Sequence, residues 1–273
     1  MKILIGIDIG GSSTKIAGFK EDKSLIGTLQ VRAEDQITSL YGALGHFLHN
    51  FGISIDSVAK IILTGVGASF IREDIYGIPT IKVSEFEAIG QGGLHISRLS
   101  EAYIVSMGTG TAIVKAAGNE VKHVGGSGIG GGTLYGLSSR LLRVNDISVV
   151  AKLAENGDLS KVDLAIQDIY SGSIPTLPPD LTASNFGKTK NDAADADIAL
   201  GLINMVLQTI GVLAVFACQK DTVKDIVLTG ALSTLPQAPP LYEFMSGIYG
   251  VKFIIPPRSV FATAIGAVLP YLS

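Results

Sequence analysis

Four short segments combine residue types and spacings that suit phosphate chemistry. In the first, Asp8 closes an apolar run, Gly10, Gly11, Ser12 and Ser13 form a small polar turn, and Lys15 follows. Backbone N–H groups in such a turn make a concave anion site. Asp8 can hold Mg²⁺ through water, because Mg²⁺ keeps several waters, and Lys15 can reach a phosphate as a point charge. A plain hairpin whose Asp and Ser make local turn bonds would read the same way. The second segment, Ser106, Met107, Gly108, Thr109, Gly110 and Thr111, repeats that design. Two such turns facing each other would clamp a polyphosphate from both sides.

The third segment places six glycines in the eight residues from Gly125 to Gly132 and runs into TLYGLSSRLL, a helical pattern. A glycine-rich loop opening a helix offers free N–H groups and the positive end of the dipole to an anion. A flexible linker is the bland alternative. The run lacks the Gly-Lys-Ser/Thr ending of a P-loop and the βα context of a dinucleotide fingerprint. In the fourth segment, Ser84 and Glu87 form a capping-box pattern. That explains Glu87 structurally and leaves Glu85, just after a strand, able to accept the proton of a substrate hydroxyl.

The elements that must position these residues alternate between strand and helix, which implies an α/β fold. Strands are expected at 3–9, 14–19, 25–31, 60–63 and 80–83. A helix starting at Asp35 carries Ile37, Leu40, Leu44, Phe47 and Leu48 at helical spacing. The second half reads as helices at 147–155, 195–220 and 261–269, with proline-rich loops at 175–179 and 236–240. IGIDIGGSSTKIAGF around Asp8 is echoed by YIVSMGTGTAIVKAAG around Ser106, and KIILTGVGASF at 60–70 by DIVLTGALSTL at 225–235. Both echoes run in the same order, as expected of two similar domains made by duplication. The boundary is placed near residue 117, giving units 1–117 and 118–273, with the final helix able to pack back on the first unit.

Composition narrows the class. Of the 273 residues, 47% are hydrophobic and 16% charged, enough apolar material for a large core and too little charge for a disordered chain. The net charge of −3 comes without a Lys/Arg block, so no nucleic-acid footprint is expected. The single cysteine, Cys218, cannot form an internal disulfide and sits in an apolar run, which implies core packing and a reducing, cytoplasmic setting. The apolar run after Lys2 is broken by Asp8 and Gly10, which argues against a leader. The stretch 198–218 approaches membrane-spanning length. Asn204, Gln208 and Thr209 interrupt it, so a buried helix is expected and no membrane contact.

On these motifs the chain resembles the acetate and sugar kinase/Hsp70/actin superfamily: DIGGSSTK is similar to its first phosphate motif, SMGTGT to its second, and LTGALS at 228–233 to its adenosine motif. More specifically it resembles the bacterial type II pantothenate kinases, through EFEAIGQG from Glu85, VGGSGIGGGT from Val124 and PDLTASNFGK from Pro179. The resemblance implies two ribonuclease-H-like domains of actin/hexokinase type with a nucleotide cleft between them. It implies transfer of the ATP γ-phosphate to the terminal hydroxyl of pantothenate, the first step of coenzyme A synthesis. By position, Glu85 matches the general base. Asp8, Gly10, Gly11, Ser12, Ser13, Lys15 and the 106–111 turn match phosphate and Mg²⁺ contacts. Gly130, Gly131, Gly132 and Gly230 lie by the nucleotide, Ser106 and His123 by the acceptor. A homodimer is also implied.

One position departs from the family pattern. The residue before Val-Gly-Gly is usually Arg, and here it is His123. Arg carries a permanent charge on a planar fork, which imidazole does not reproduce. The departure leaves open another small alcohol or an amino sugar as acceptor, or a non-catalytic nucleotide-binding homologue. Zinc-dependent sugar kinases and iron–sulfur ATPase activators of the superfamily need cysteine clusters that one cysteine cannot supply.

Overall fold

The computed structural model describes residues 2–32, 35–172 and 178–272. Residues 175–177 of the expected proline-rich loop lie outside them. The first half contains β1 (Ile3–Ile9), β2 (Ser13–Lys20), β3 (Leu25–Arg32), α1 (Gln36–Asn50), β4 (Val58–Thr64), β5 (Thr80–Lys82) and α2 (Glu85–Ser97). The chain continues through β6 (Glu101–Met107), β7 (Thr111–Ala117), β8 (Glu120–Ser127), α3 (Gly131–Leu141) and α4 (Ile147–Ala154). Then come the short β9 (Leu164–Ala165), α5 (Ile166–Ile169) and β10 (Thr182–Ser184), followed by α6 (Asp195–Cys218), β11 (Asp225–Thr229), α7 (Ala238–Tyr249), β12 (Lys252–Ile254) and α8 (Ala262–Val268).

Two five-stranded sheets share one topology. The first has the order β3-β2-β1-β4-β5 and the second β12-β11-β6-β7-β8. In each, an antiparallel three-stranded meander is extended by two parallel strands, β4 and β5 in one and β11 and β12 in the other. Both Leu-Thr-Gly segments end their strands at a left-handed glycine, Gly65 at φ +85° and Gly230 at φ +87°, and both lead into a 3₁₀ turn. The duplicated sequence pattern is therefore a duplicated fold. A boundary near residue 117 is corrected by this topology: it would cut the hydrogen-bonded β7–β8 pair, and β6 and β7 belong to the second sheet.

Strand alternation decides which side chains meet. On β1, Ile3, Ile5, Ile7 and Ile9 face α1, where they pack on Leu40, Leu44 and Phe47. The opposite face packs Ala17, Phe19 and Ile62 on Ala88 of α2 and on Ala264, Ile265 and Val268 of α8. The other side of α2 places Ile89 and Leu94 on Ala102, Ile104, Val114 and Val227 of the second sheet. The far face of that sheet meets α3, α4, α6 and α7 through Val105, Met107, Leu202, Val206 and Tyr242. Helices α2 and α8 thus form a shared layer between the sheets. Their approach depends on glycine: a Cβ at Gly92 would lie 1.9 Å from the Ala262 carbonyl oxygen, and one at Gly266 1.9 Å from that of Ala88.

Several local expectations change. Ile37 is 44% exposed, so the buried stripe of α1 begins at Leu40. Residues 236–240 are a helix start, with α7 beginning at Ala238 and proline in its first turn, where the missing N–H costs nothing. Helix α6 is long and apolar enough to cross a bilayer, but most of it is buried in the second core, as is Cys218. The segment from Pro179 to Lys188 is tied to α6 by the buried Asp163. That carboxylate accepts from the Phe186 amide at 2.9 Å and from Asn204 Nδ2 at 2.8 Å.

Candidate active site

The β1–β2 register sets Asp8 opposite Lys15, on the face that looks toward α2 and α8. Lys15 Nζ lies 3.5 Å from Asp8 Oδ2, and both residues are buried. Burial pushes the Asp8 carboxyl up from its ordinary range, opposed by the charge and hydrogen bond of Lys15. The Leu-Thr-Gly after β4 closes the third side. A Cβ on Gly65 would sit 2.6 Å from Asp8 Oδ1 and 2.6 Å from the Ile9 carbonyl oxygen. Sequence reading used this segment only as an echo; the signal available was a glycine repeated in register at two strand ends.

The second turn is braced from behind. The Gly131 amide donates to the Gly108 carbonyl and the Gly132 amide to the Thr109 carbonyl, each at 2.8 Å, and the Gly130 amide donates to Thr133 Oγ1 at 3.2 Å. The expected 125–132 loop is corrected accordingly. Residues 125–127 complete β8, residues 131–132 begin α3, and the first amides of that helix hold the turn instead of standing free for an anion. Glycine is needed for this close approach: a Cβ at Gly130 would lie 2.6 Å from the Thr109 carbonyl oxygen. Gly230 fits the same turn from the other side, its Cβ position 2.5 Å from the Met107 carbonyl oxygen.

The two turns meet across the cleft, where Ser12 Oγ and Thr109 Oγ1 are 3.2 Å apart. Among the described residues, the amides of Gly11, Ser12 and Thr109 find no acceptor. Ser106, half-buried on β6, shares the α2-facing side with Ala102 and Ile104 by strand alternation.

Glu85 opens α2, whose N-cap Ser84 accepts from the Glu87 amide at 3.5 Å. Partial burial pushes the Glu85 carboxyl up, the Asp8 charge adds to this, and Lys15 opposes it. All three side chains therefore belong to one electrostatic site. Beside Glu85, the Phe86 ring stacks on the His123 imidazole, with centroids 4.0 Å apart and planes 18° from parallel. A bulge at Val124 shifts the register of β8, so that Gly125 pairs with Ile113 while His123 pairs with Val114, whose side chain is on the α2 side of the sheet. Phe86 was not singled out from sequence, because its stacking on His123 is a contact between distant segments.

A cavity of about 450 Å³ lies between Gln30 of β3, Ile147, Ser148 and Lys152 of α4, and Ala231 and Thr234 of the turn after Gly230. Of these, Ala231 and Thr234 fall in the DIVLTGALSTL echo, while Gln30 and the α4 residues lie in an expected strand and helix to which sequence attached no role. Its walls come from both the first sheet and the second unit.

Comparison with known proteins follows the same lines. The Fumble family profile matches residues 98–237, just over half of the chain. Type II pantothenate kinase from Staphylococcus aureus is 29% identical over 237 residues, covering 83% of this chain and 84% of that protein. Among solved structures, the activator of 2-hydroxyisocaproyl-CoA dehydratase from Clostridium difficile, with bound ADPNP, superposes with a TM-score of 0.72 at 16% identity. That match covers 99% of this chain and 94% of the other. A ROK hexokinase from Thermus thermophilus matches with a TM-score of 0.56 at 14% identity, over 98% of this chain and 97% of the other. The structural likenesses establish the two-domain fold, and the profile establishes the lineage: the chain belongs to the Fumble, or type II pantothenate kinase, family.

Proposed function

We propose that this protein transfers the γ-phosphate of ATP to the terminal hydroxyl of pantothenate, opening coenzyme A synthesis in the cytoplasm. The observation that carries the reading is the convergence of Asp8, Lys15 and Glu85 beside two polar turns in hydrogen-bond contact. The base of ATP occupies the cavity beside Gly230, and its phosphates run toward the unpartnered amides of Gly11, Ser12 and Thr109. Lys15 faces the transferred phosphoryl group. Such a reaction needs mainly positioning and charge stabilisation.

Glu85 takes the proton of the acceptor hydroxyl as its oxygen attacks the γ-phosphorus and ADP departs. A raised carboxyl pKa makes it a better base at neutral pH. Ser106 and His123 contact the acceptor, with His123 on the Phe86 ring in place of the family's usual Arg. Among the described residues, no cluster of three or more acidic, His or Cys side chains could cage a metal. One buried carboxylate, Asp8, fits Mg²⁺ held mainly by water and phosphate oxygens. When bound, Mg²⁺ neutralises phosphate charge. The working form is taken as a homodimer, from the family resemblance.

The test measures ADP release with pantothenate, other small alcohols and amino sugars as acceptors, using wild type and Glu85→Gln. Pantothenate-dependent turnover that falls by about 10²–10⁴-fold in Glu85→Gln is expected. Wild-type rates in that variant would remove Glu85 as base, and turnover confined to another acceptor would reassign the substrate.

A further inference from the structure

Two side-chain contacts join the first unit to the second. On the phosphate side, Ser12 Oγ meets Thr109 Oγ1 at 3.2 Å. At the outer side, Arg32 Nη2 meets Asp146 Oδ2 at 2.5 Å. Arg32 ends β3 two residues after Gln30, so both side chains leave the same face of the strand. Asp146 immediately precedes Ile147 and Ser148, and Gln30, Ile147 and Ser148 all line the cavity. The ion pair therefore joins the end of β3 to the start of α4 next to residues that wall this space. Asp146 is already fixed as the N-cap of α4, accepting from the Ser148 amide at 2.9 Å and from Ser148 Oγ at 2.6 Å. These bonds and the Arg32 guanidinium hold its carboxyl well below the usual carboxylate range. Arg32, with 79% of its side chain exposed, is the end that can swing away.

We infer that Arg32 and Asp146 form a strap across the nucleotide cavity, which must release for nucleotide to pass and which re-forms over the bound base. The inference rests on the assignment of that cavity to ATP. Asp146 is the fixed anchor and Arg32 the moving arm. The pair lies in solvent, so its strength is modest and screened by salt. A surface pair of this kind biases closure by about two- to fivefold, which suits a contact that must open in every turnover.

The experiment follows release of a fluorescent ADP analogue by stopped flow in the full-length protein, at low and at high salt. The variants are Arg32→Ala, Arg32→Lys and Arg32→Glu, each of which leaves the Asp146 cap of α4 intact. Release about two- to fivefold faster is expected for Arg32→Ala and faster still for Arg32→Glu, with Arg32→Lys close to wild type. High salt should speed release in wild type and leave Arg32→Ala nearly unchanged, while melting temperatures stay level. Normal release rates and an unaltered salt response in Arg32→Ala and Arg32→Glu would overturn the strap. Failure of the wild type to bind the analogue at all would instead overturn the nucleotide assignment.

Discussion

Gly65 is the position where backbone geometry and chemistry are most tightly joined, and Gly65→Ala is the most informative single perturbation. Its φ of +85° and ψ of 165° lie in a region that essentially only glycine occupies. Holding alanine there costs about 1–3 kcal/mol. The added methyl would stand 2.6 Å from both Asp8 Oδ1 and the Ile9 carbonyl oxygen, so one of them must shift, for about 1–3 kcal/mol more. A loss of about 2–6 kcal/mol is a large share of the stability of an ordinary domain. Gly230→Ala is the matched control, because it has the same backbone strain at φ +87° but meets the Met107 backbone instead of a carboxylate. Denaturant titration should show both variants destabilised to a similar degree. Steady-state kinetics well below the melting transitions should then separate them. Gly65→Ala lowers kcat by tenfold or more by displacing Asp8, whereas Gly230→Ala acts mainly on the KM for ATP. A Gly65→Ala protein within about 0.5 kcal/mol of wild type, or one with full kcat, would refute the reasoning.

Four further outcomes are expected. Because the folded-state pKa of Glu85 is raised, its ionised form costs stability as pH rises through that value. Glu85→Gln should therefore melt above wild type at neutral pH, with the difference vanishing near pH 4 and below, where the unfolded carboxyl is also protonated. The same raised pKa places the acid limb of the wild-type kcat/KM profile above the ordinary glutamate range, readable from a pH–rate series. Lys15→Met leaves Asp8 buried without its counter-charge and should cost about 3–5 kcal/mol at neutral pH, a loss that shrinks in acid as Asp8 takes up a proton; urea titrations at pH 5 and pH 8 would show the difference. Gly92→Ala forces a methyl into the Ala262 carbonyl oxygen at 1.9 Å, and because the atoms it meets on α8 are backbone the layer between the sheets must part. A drop of about 3 kcal/mol or more in stability is expected by calorimetry.

Much of this architecture was legible because local signals agreed with one another. Strands β1, β2 and β3 and helices α1, α4 and α6 were placed to within a few residues by apolar periodicity and by capping residues such as Asp35. The paired echoes anticipated two sheets of one topology. What sequence could not show was set by distant parts of the chain. The boundary was misplaced because β6 and β7 follow the first unit directly, yet find their partners in β8 and in β11, more than a hundred residues on. The glycine-rich segment looked like an open anion loop because composition does not reveal that the Gly131 and Gly132 amides are committed to the carbonyls of a turn beginning at Gly108. Proline at 239 and 240 was read as loop chemistry, although proline in a first helical turn serves equally well. At the site, Asp8, Lys15 and Glu85 were identifiable by residue type and position. Phe86, Gln30 and Lys152 were not, because their roles arise from contacts or cavity walls that no local pattern encodes.

The most direct test of the account follows the phosphate itself. Purified protein is supplied with ATP, Mg²⁺ and pantothenate, and the products are resolved by phosphorus NMR and mass spectrometry. One ADP per phosphomonoester carried on the terminal hydroxyl of pantothenate is the predicted result, with the signal lost in Glu85→Gln. ATP bound or hydrolysed with pantothenate recovered unmodified would contradict it.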